Sequence, residues 1–214
     1  MKPQLKWLAV GIATVILVAS CTAFFFETPG SGTTSPVRVA CIGDSITAEY
    51  PADLLMMLGS NYTVGNFGVG GSTVSLQFHK PYMNQTAFQY AQNFEPNIVV
   101  IMLGTNDAYL SQQQRSNFTS DYKTLVASFQ ACSSKPKIFI VIPPPVFNNS
   151  MGLNGTVLVD DVIPLIKQTA NDLGLPLIDV YTPLVNHPED FSDGVHPNSQ
   201  GSKIIAEVIF NAIT

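Results

Sequence analysis

Apolar and polar positions along the chain change period several times, and the changes predict alternating strands and helices. Residues 37–42 (VRVACI) form a short apolar run closed by Gly43, the pattern of a strand buried on both faces of a parallel sheet. Residues 62–67 and 97–103 (NIVVIML) repeat it, as do 137–142 (KIFIVI), stopped by three prolines, and 175–180. Between these runs the spacing becomes helical. Residues 51–58 begin with proline and end before Gly59, and 118–132 place Phe118, Tyr122, Leu125, Val126 and Phe129 on one face. Further helices are predicted over 161–173 and 199–212. Five strands joined by helices predict one α/β domain, a parallel sheet covered on both faces in a three-layer α/β/α sandwich. No internal repeat is visible.

The chain has 214 residues, long enough for one domain with a real core, and a formal net charge of −5. Only 12% of residues are charged. Part of that deficit lies in residues 7–26 (WLAVGIATVILVASCTAFFF), an uncharged run preceded by Lys2 and Lys6, as in an export signal. Three readings stay open: a signal cut near Ser20 or Ala23, a retained signal-anchor, or a lipid on Cys21, since Val18-Ala19-Ser20-Cys21 resembles a lipobox. All three place the body outside the cytosol, secreted or anchored, with the membrane touched only by the N-terminal segment. Residues 28–36 (TPGSGTTSP) read as a linker, and 37–214 as the domain. Without residues 1–27 the count falls from 10 basic and 15 acidic residues to 8 and 14, a surface that disfavours nucleic acid. Asn61, Asn84, Asn117, Asn148 and Asn154 each start an N-x-[ST] triplet, five against about two expected by chance, and are glycosylation candidates in a eukaryotic host. Cys41 and Cys132 are placed for buried free thiols better than for a disulfide.

In a parallel α/β sheet, chemistry gathers in the loops that leave the carboxyl ends of the strands. Here those loops hold Gly43-Asp44-Ser45, then Gly68-Val69-Gly70-Gly71, then Gly104-Thr105-Asn106-Asp107, and finally Asp193-Gly194-Val195-His196. Four such blocks in this order resemble the SGNH (GDSL) family of serine esterases, over nearly all of residues 37–214. The surrounding wording (NFGVGG, IVVIMLGTNDA, DGVHPN) resembles a subgroup likened to sialate O-acetylesterases. The resemblance implies the flavodoxin-like SGNH hydrolase fold, with Ser45, Asp193 and His196 catalytic. It also implies that the Ser45 and Gly71 N–H groups and the Asn106 side-chain amide hold an oxyanion.

The chemistry asks for the same residues. A serine hydroxyl needs an imidazole to take its proton, and the chain offers His79, His187 and His196. His196 follows Asp193 by three residues, so a tight turn can put the carboxylate against Nδ1 and leave Nε2 for Ser45. No metal or cofactor is needed; the partners are a small-molecule or glycan ester and water. Asp44, Asp107, Phe78, Tyr82 and Phe147 are candidates for the substrate pocket, with Tyr109 beside them. Each residue also has a plainer reading: Ser45 as a helix cap, Asn106 and Asp107 as a turn, His196 as the cap of the last helix. Short acyl groups, acetyl above all, on a carbohydrate are the expected substrates. Lipase, thioesterase or lysophospholipase activity, or a silent glycan-binding protein, are the alternatives.

Overall fold

The computed structural model describes residues 35–78 and 80–214, and Ser35–Thr214 form one compact unit. The signal, anchor and lipid readings of residues 7–26, most of the linker, and His79 lie outside the described residues.

Five strands, β1 (Val37–Gly43), β2 (Tyr62–Gly68), β3 (Ile98–Met102), β4 (Lys137–Ile142) and β5 (Leu177–Asp179), pair in parallel in the order β2-β1-β3-β4-β5. Among the described residues six α-helices accompany them: α1 (Tyr50–Leu58), α2 (Thr86–Asn93), α3 (Phe118–Gln130), α4 (Gly155–Val157), α5 (Ile163–Leu173) and α6 (Ser199–Ile213). Successive strand residues point to opposite faces, and both faces are covered, which is why the strands read as unbroken apolar runs. Val39, Cys41, Val100, Met102, Phe139 and Val141 pack with Tyr50 and Leu54 of α1 and Ile205 and Ile209 of α6. Ala40, Ile42, Val99, Ile101, Ile138 and Ile140 pack on the other face with Tyr122, Val126 and Phe129 of α3 and Ile166 of α5. Each fully buried large side chain contributes roughly 1.5–3 kcal/mol.

The predicted sandwich is the observed one; its edges differ. The amphipathic signal over 161–173 starts earlier, because Asn154 caps α4 by accepting from the Thr156 and Val157 N–H groups. A π-helical turn, Leu158–Val162, then carries the chain into α5. α2 escaped the hydrophobic pattern because only Ala91 of its eight residues is fully buried. β5 is shorter than 175–180: it is an edge strand paired with β4 alone, and Pro176 before it has no N–H to donate. Cys41 and Cys132 are free thiols, Cys41 buried and Cys132 half-buried.

The chain leaves β1 for β2 on one side and returns to β3 on the other. Loops that depart in opposite directions open a crevice above β1 and β3. Gly43, Gly68 and Met102 sit side by side at this rim, where Gly43 pairs with both neighbours.

Candidate active site

Four loops meet at this crevice. Ser45 leads into the 3-10 turn Ile46–Ala48, where its side chain makes no capping bond. Instead its Oγ lies 2.9 Å from His196 Nε2. The other ring nitrogen, Nδ1, is 2.7 Å from Asp193 Oδ2, while Asp193 Oδ1 accepts from the N–H groups of Val195 (2.9 Å) and His196 (2.7 Å). The turn expected between Asp193 and His196 therefore closes through the carboxylate itself. Partial burial pushes the Asp193 carboxyl up, but these hydrogen bonds outweigh it and hold the group down at about 2. Capping of α6 falls to Asn198, which accepts from Gln200 and Gly201, so His196 stays available to Ser45.

The second and third loops come up beside Ser45. Gly71 adopts a left-handed backbone (φ +74°) and, with Gly70, lines the pocket above Ser45. Gly104 is also left-handed (φ +127°), and a Cβ there would sit 2.9 Å from Ile166 Cδ1, so only glycine lets this loop turn so close to α5. Asn106 follows, with its Nδ2 3.1 Å from the Ser72 carbonyl and 3.3 Å from Asp44 Oδ2.

Two buried carboxyls brace these loops from below. Asp44 Oδ1 accepts from the Ile46 N–H at 3.0 Å. Asp107 accepts from Val74 and Ser75, each at 3.0 Å. Burial pushes Asp44 up to about 7 and Asp107 up to about 6, in part offset by those N–H donors. Both bind protons more tightly folded than unfolded. Their contribution to unfolding free energy should therefore be greatest below the ordinary carboxyl range and decline as the pH rises toward 7. Urea denaturation at pH 5 and pH 8 should show this decline, and Asp44→Asn should shrink it; an undiminished decline in the variant would assign it elsewhere.

The pocket itself has a volume of about 600 Å³ and is lined by Ser45, Gly71, Asn106 and His196, with Phe78, Tyr109, Met151, Leu153 and Val195 as its apolar wall. Tyr109 donates from its hydroxyl to the Met151 carbonyl at 2.5 Å, joining two loops at the mouth. Of the pocket candidates, Phe78 and Tyr109 are on the wall and four are not. Tyr82 is 1% exposed, its hydroxyl spent on the Phe67 carbonyl at 2.8 Å and its ring edge-on to Phe88. Phe147 turns away to stack edge-on against Phe191, 5.0 Å between centroids. Asp44 and Asp107 lie beneath the floor, 1% and 0% exposed. Met151 and Leu153 carried no motif, and Val195 was read only as a spacer in the block that ends at His196. His187 pairs at the surface with Glu189.

A family model described as the GDSL-like lipase/acylhydrolase family matches residues 41–204. The chain belongs to that family. An acetylxylan esterase from Xylanibacter ruminicola is 35% identical over 206 residues, a match covering 83% of this chain and 43% of that protein. The chain thus spans less than half the length of that relative. Among solved structures, the carbohydrate acetylesterase Est24 from Sinorhizobium meliloti superposes with a TM-score of 0.64 at 18% identity, covering 83% of this chain and 98% of that one. The acetyl xylan esterase AlAXEase gives 0.66 at 20% identity, with 83% and 100% covered. At those identities the likeness is one of fold. GDSL-family loops thus stand at the rim of a five-stranded sheet of the same architecture.

Proposed function

We propose that this GDSL-family chain is a serine esterase that removes short acyl groups, acetyl above all, from a carbohydrate. The observation that carries the reading is the unbroken relay Asp193–His196–Ser45 at the pocket floor. In this reading His196 Nε2 takes the proton as Ser45 Oγ attacks the ester carbonyl. The N–H groups of Ser45 and Gly71 and the Asn106 amide receive the charge on the carbonyl oxygen. His196 then protonates the departing sugar oxygen, leaving an acyl-enzyme. Water, deprotonated by the same ring, adds to that acyl group, and collapse of the second tetrahedral intermediate releases the acid and restores Ser45.

The carbohydrate assignment is supported by the acetylxylan esterase relative. The finer resemblance to sialate O-acetylesterases rests on sequence wording alone. One observation favours a second reading: Met151, Leu153 and Val195 make part of the wall apolar enough for a longer acyl chain, as in a lipase, thioesterase or lysophospholipase. Initial rates of the full chain on p-nitrophenyl acetate, butyrate and octanoate, with acetate release from acetylated xylan, decide between them. The proposal expects kcat/KM on acetate at least ~10-fold above octanoate, since each added methylene that finds no room costs roughly 1–3 kcal/mol. The reverse order would select the lipase-type reading. No turnover of any ester would favour a silent binding protein.

Export is proposed on the same footing, from residues 7–26 and from the sequons. Asn61, Asn84, Asn117, Asn148 and Asn154 are all exposed.

A further inference from the structure

Asn106 is asked by the proposed mechanism to donate a hydrogen bond to the oxyanion, yet its amide nitrogen already has two acceptors. The Ser72 carbonyl and the Asp44 carboxylate oxygen lie 3.1 and 3.3 Å from Nδ2. Neither can donate when Asp44 is ionised, so only the NH₂ end of the amide can face them, which removes any ambiguity between nitrogen and oxygen. Both distances are longer than the usual 2.9–3.0 Å of an N–H···O bond. Such lengths suit one hydrogen shared between two acceptors, with the second hydrogen left for the pocket.

Asp44 in turn faces two donors from different directions, the backbone N–H of Ile46 at 3.0 Å and the Asn106 amide. Each donor meets its own oxygen, Oδ1 for Ile46 and Oδ2 for Asn106, and an ionised carboxylate is the side chain of this length that offers an acceptor in both places. The side chain is 1% exposed, so no bulk water stands ready to replace either oxygen. The Ile46 N–H is fixed by the turn that carries Ser45, whereas the Asn106 amide takes its orientation from the Ser72 carbonyl and Asp44.

The geometry points to Asp44 as a positioning residue: its second carboxylate oxygen holds the Asn106 amide nitrogen toward the pocket, and so sets the third oxyanion donor without touching substrate. This rests on the oxyanion role proposed above for Asn106. It has an unusual consequence for substitutions. In Asp44→Asn the single remaining oxygen stays with Ile46, and the new NH₂ group confronts the NH₂ of Asn106. Relief requires Asn106 to turn over, which gives up the Ser72 carbonyl and points a carbonyl oxygen where the oxyanion would form. Asp44→Ala removes an acceptor but adds no donor, so Ser72 still holds the amide. The near-isosteric change should therefore be the worse one.

The test uses the full chain with p-nitrophenyl acetate at pH 8, above the value of about 7 that burial gives Asp44, so that the ionised form predominates. Asp44→Asn should lower kcat by ~10²-fold, the size of a lost oxyanion donor, with KM changed by less than about threefold. Asp44→Ala should lose less. In an Asn106→Ala background, adding Asp44→Asn should cost nothing further, because no amide remains to be turned. Equal or smaller loss in Asp44→Asn than in Asp44→Ala, or independent losses in the double variant, would overturn the assignment. If thermal melts show Asp44→Asn unfolded, the Asp44→Ala loss must itself vanish in the Asn106→Ala background. An Asn106→Ala enzyme with undiminished kcat would instead remove the oxyanion role of Asn106, while leaving the Ser45 assignment to its own test.

Discussion

Ser45→Ala is expected to reduce kcat on p-nitrophenyl acetate by about 10⁶-fold, the scale at which a serine nucleophile is lost. The hydroxyl lies within hydrogen-bond reach of the pocket-facing imidazole nitrogen, at 2.9 Å from His196 Nε2. Without it, the ring has no oxygen to deprotonate except water. Any residual rate comes from substrate binding and the oxyanion donors, which by themselves give roughly 10³–10⁴ over water. Stability should be unchanged within about 0.5 kcal/mol, because Oγ caps no helix turn and the site is open to solvent. Steady-state rates and a urea titration of the same sample separate the two effects. Activity retained in a folded Ser45→Ala protein would remove Ser45 from the mechanism.

Asp193→Asn should cost about 10⁴-fold in kcat, although the side chain keeps its shape. The reason is again a count of acceptors. Oδ1 receives the N–H groups of Val195 and His196, both fixed by the backbone, and Oδ2 receives His196 Nδ1 at 2.7 Å. An amide keeps its oxygen on the two backbone donors and turns NH₂ toward Nδ1. The ring must then carry its proton on Nε2, facing Ser45 as a donor, and can no longer act as the base. KM should move little. In the native protein the carboxyl, held at about 2, stays ionised through the whole neutral and mildly acidic range. Its folded value lies below its unfolded one, so it contributes stability above the ordinary carboxyl range, and that contribution fades as the pH falls toward 2. A kcat for Asp193→Asn within tenfold of the native enzyme would argue that His196 is oriented by something else.

Asp44 and Asp193 illustrate how far residue types could be read before any geometry was known. Both stand in recognisable blocks, and both were legible as part of the site. The three-residue spacing to His196 already marked Asp193 as the partner of the ring; that Asp44 works from beneath the pocket and does not line it was not legible, because that depends on whether solvent reaches it. Asp193 is 41% exposed beside His196, while Asp44 is 1% exposed under the floor. Tyr82 and Phe147 failed as pocket candidates for a related reason. An aromatic in a loop near the site is equally suited to filling the core, and packing against Phe88 and Phe191 claimed them.

The order of the five strands along the chain, the single α/β domain and the four loops that hold Ser45, Gly71, Asn106 and His196 were determined by the sequence. Short-range causes suffice there: unbroken apolar runs make doubly covered strands, glycine and proline end them, and a three-residue spacing lets Asp193 reach His196. The tertiary structure decided what depends on distant residues meeting. It set the strand order that opens the crevice above β1, and it brought Met151, Leu153 and Val195 to the pocket wall. It also joined Asn106 to Asp44 across 62 positions of chain. Such contacts are selected by the packing of whole layers, and no local pattern of side chains encodes them.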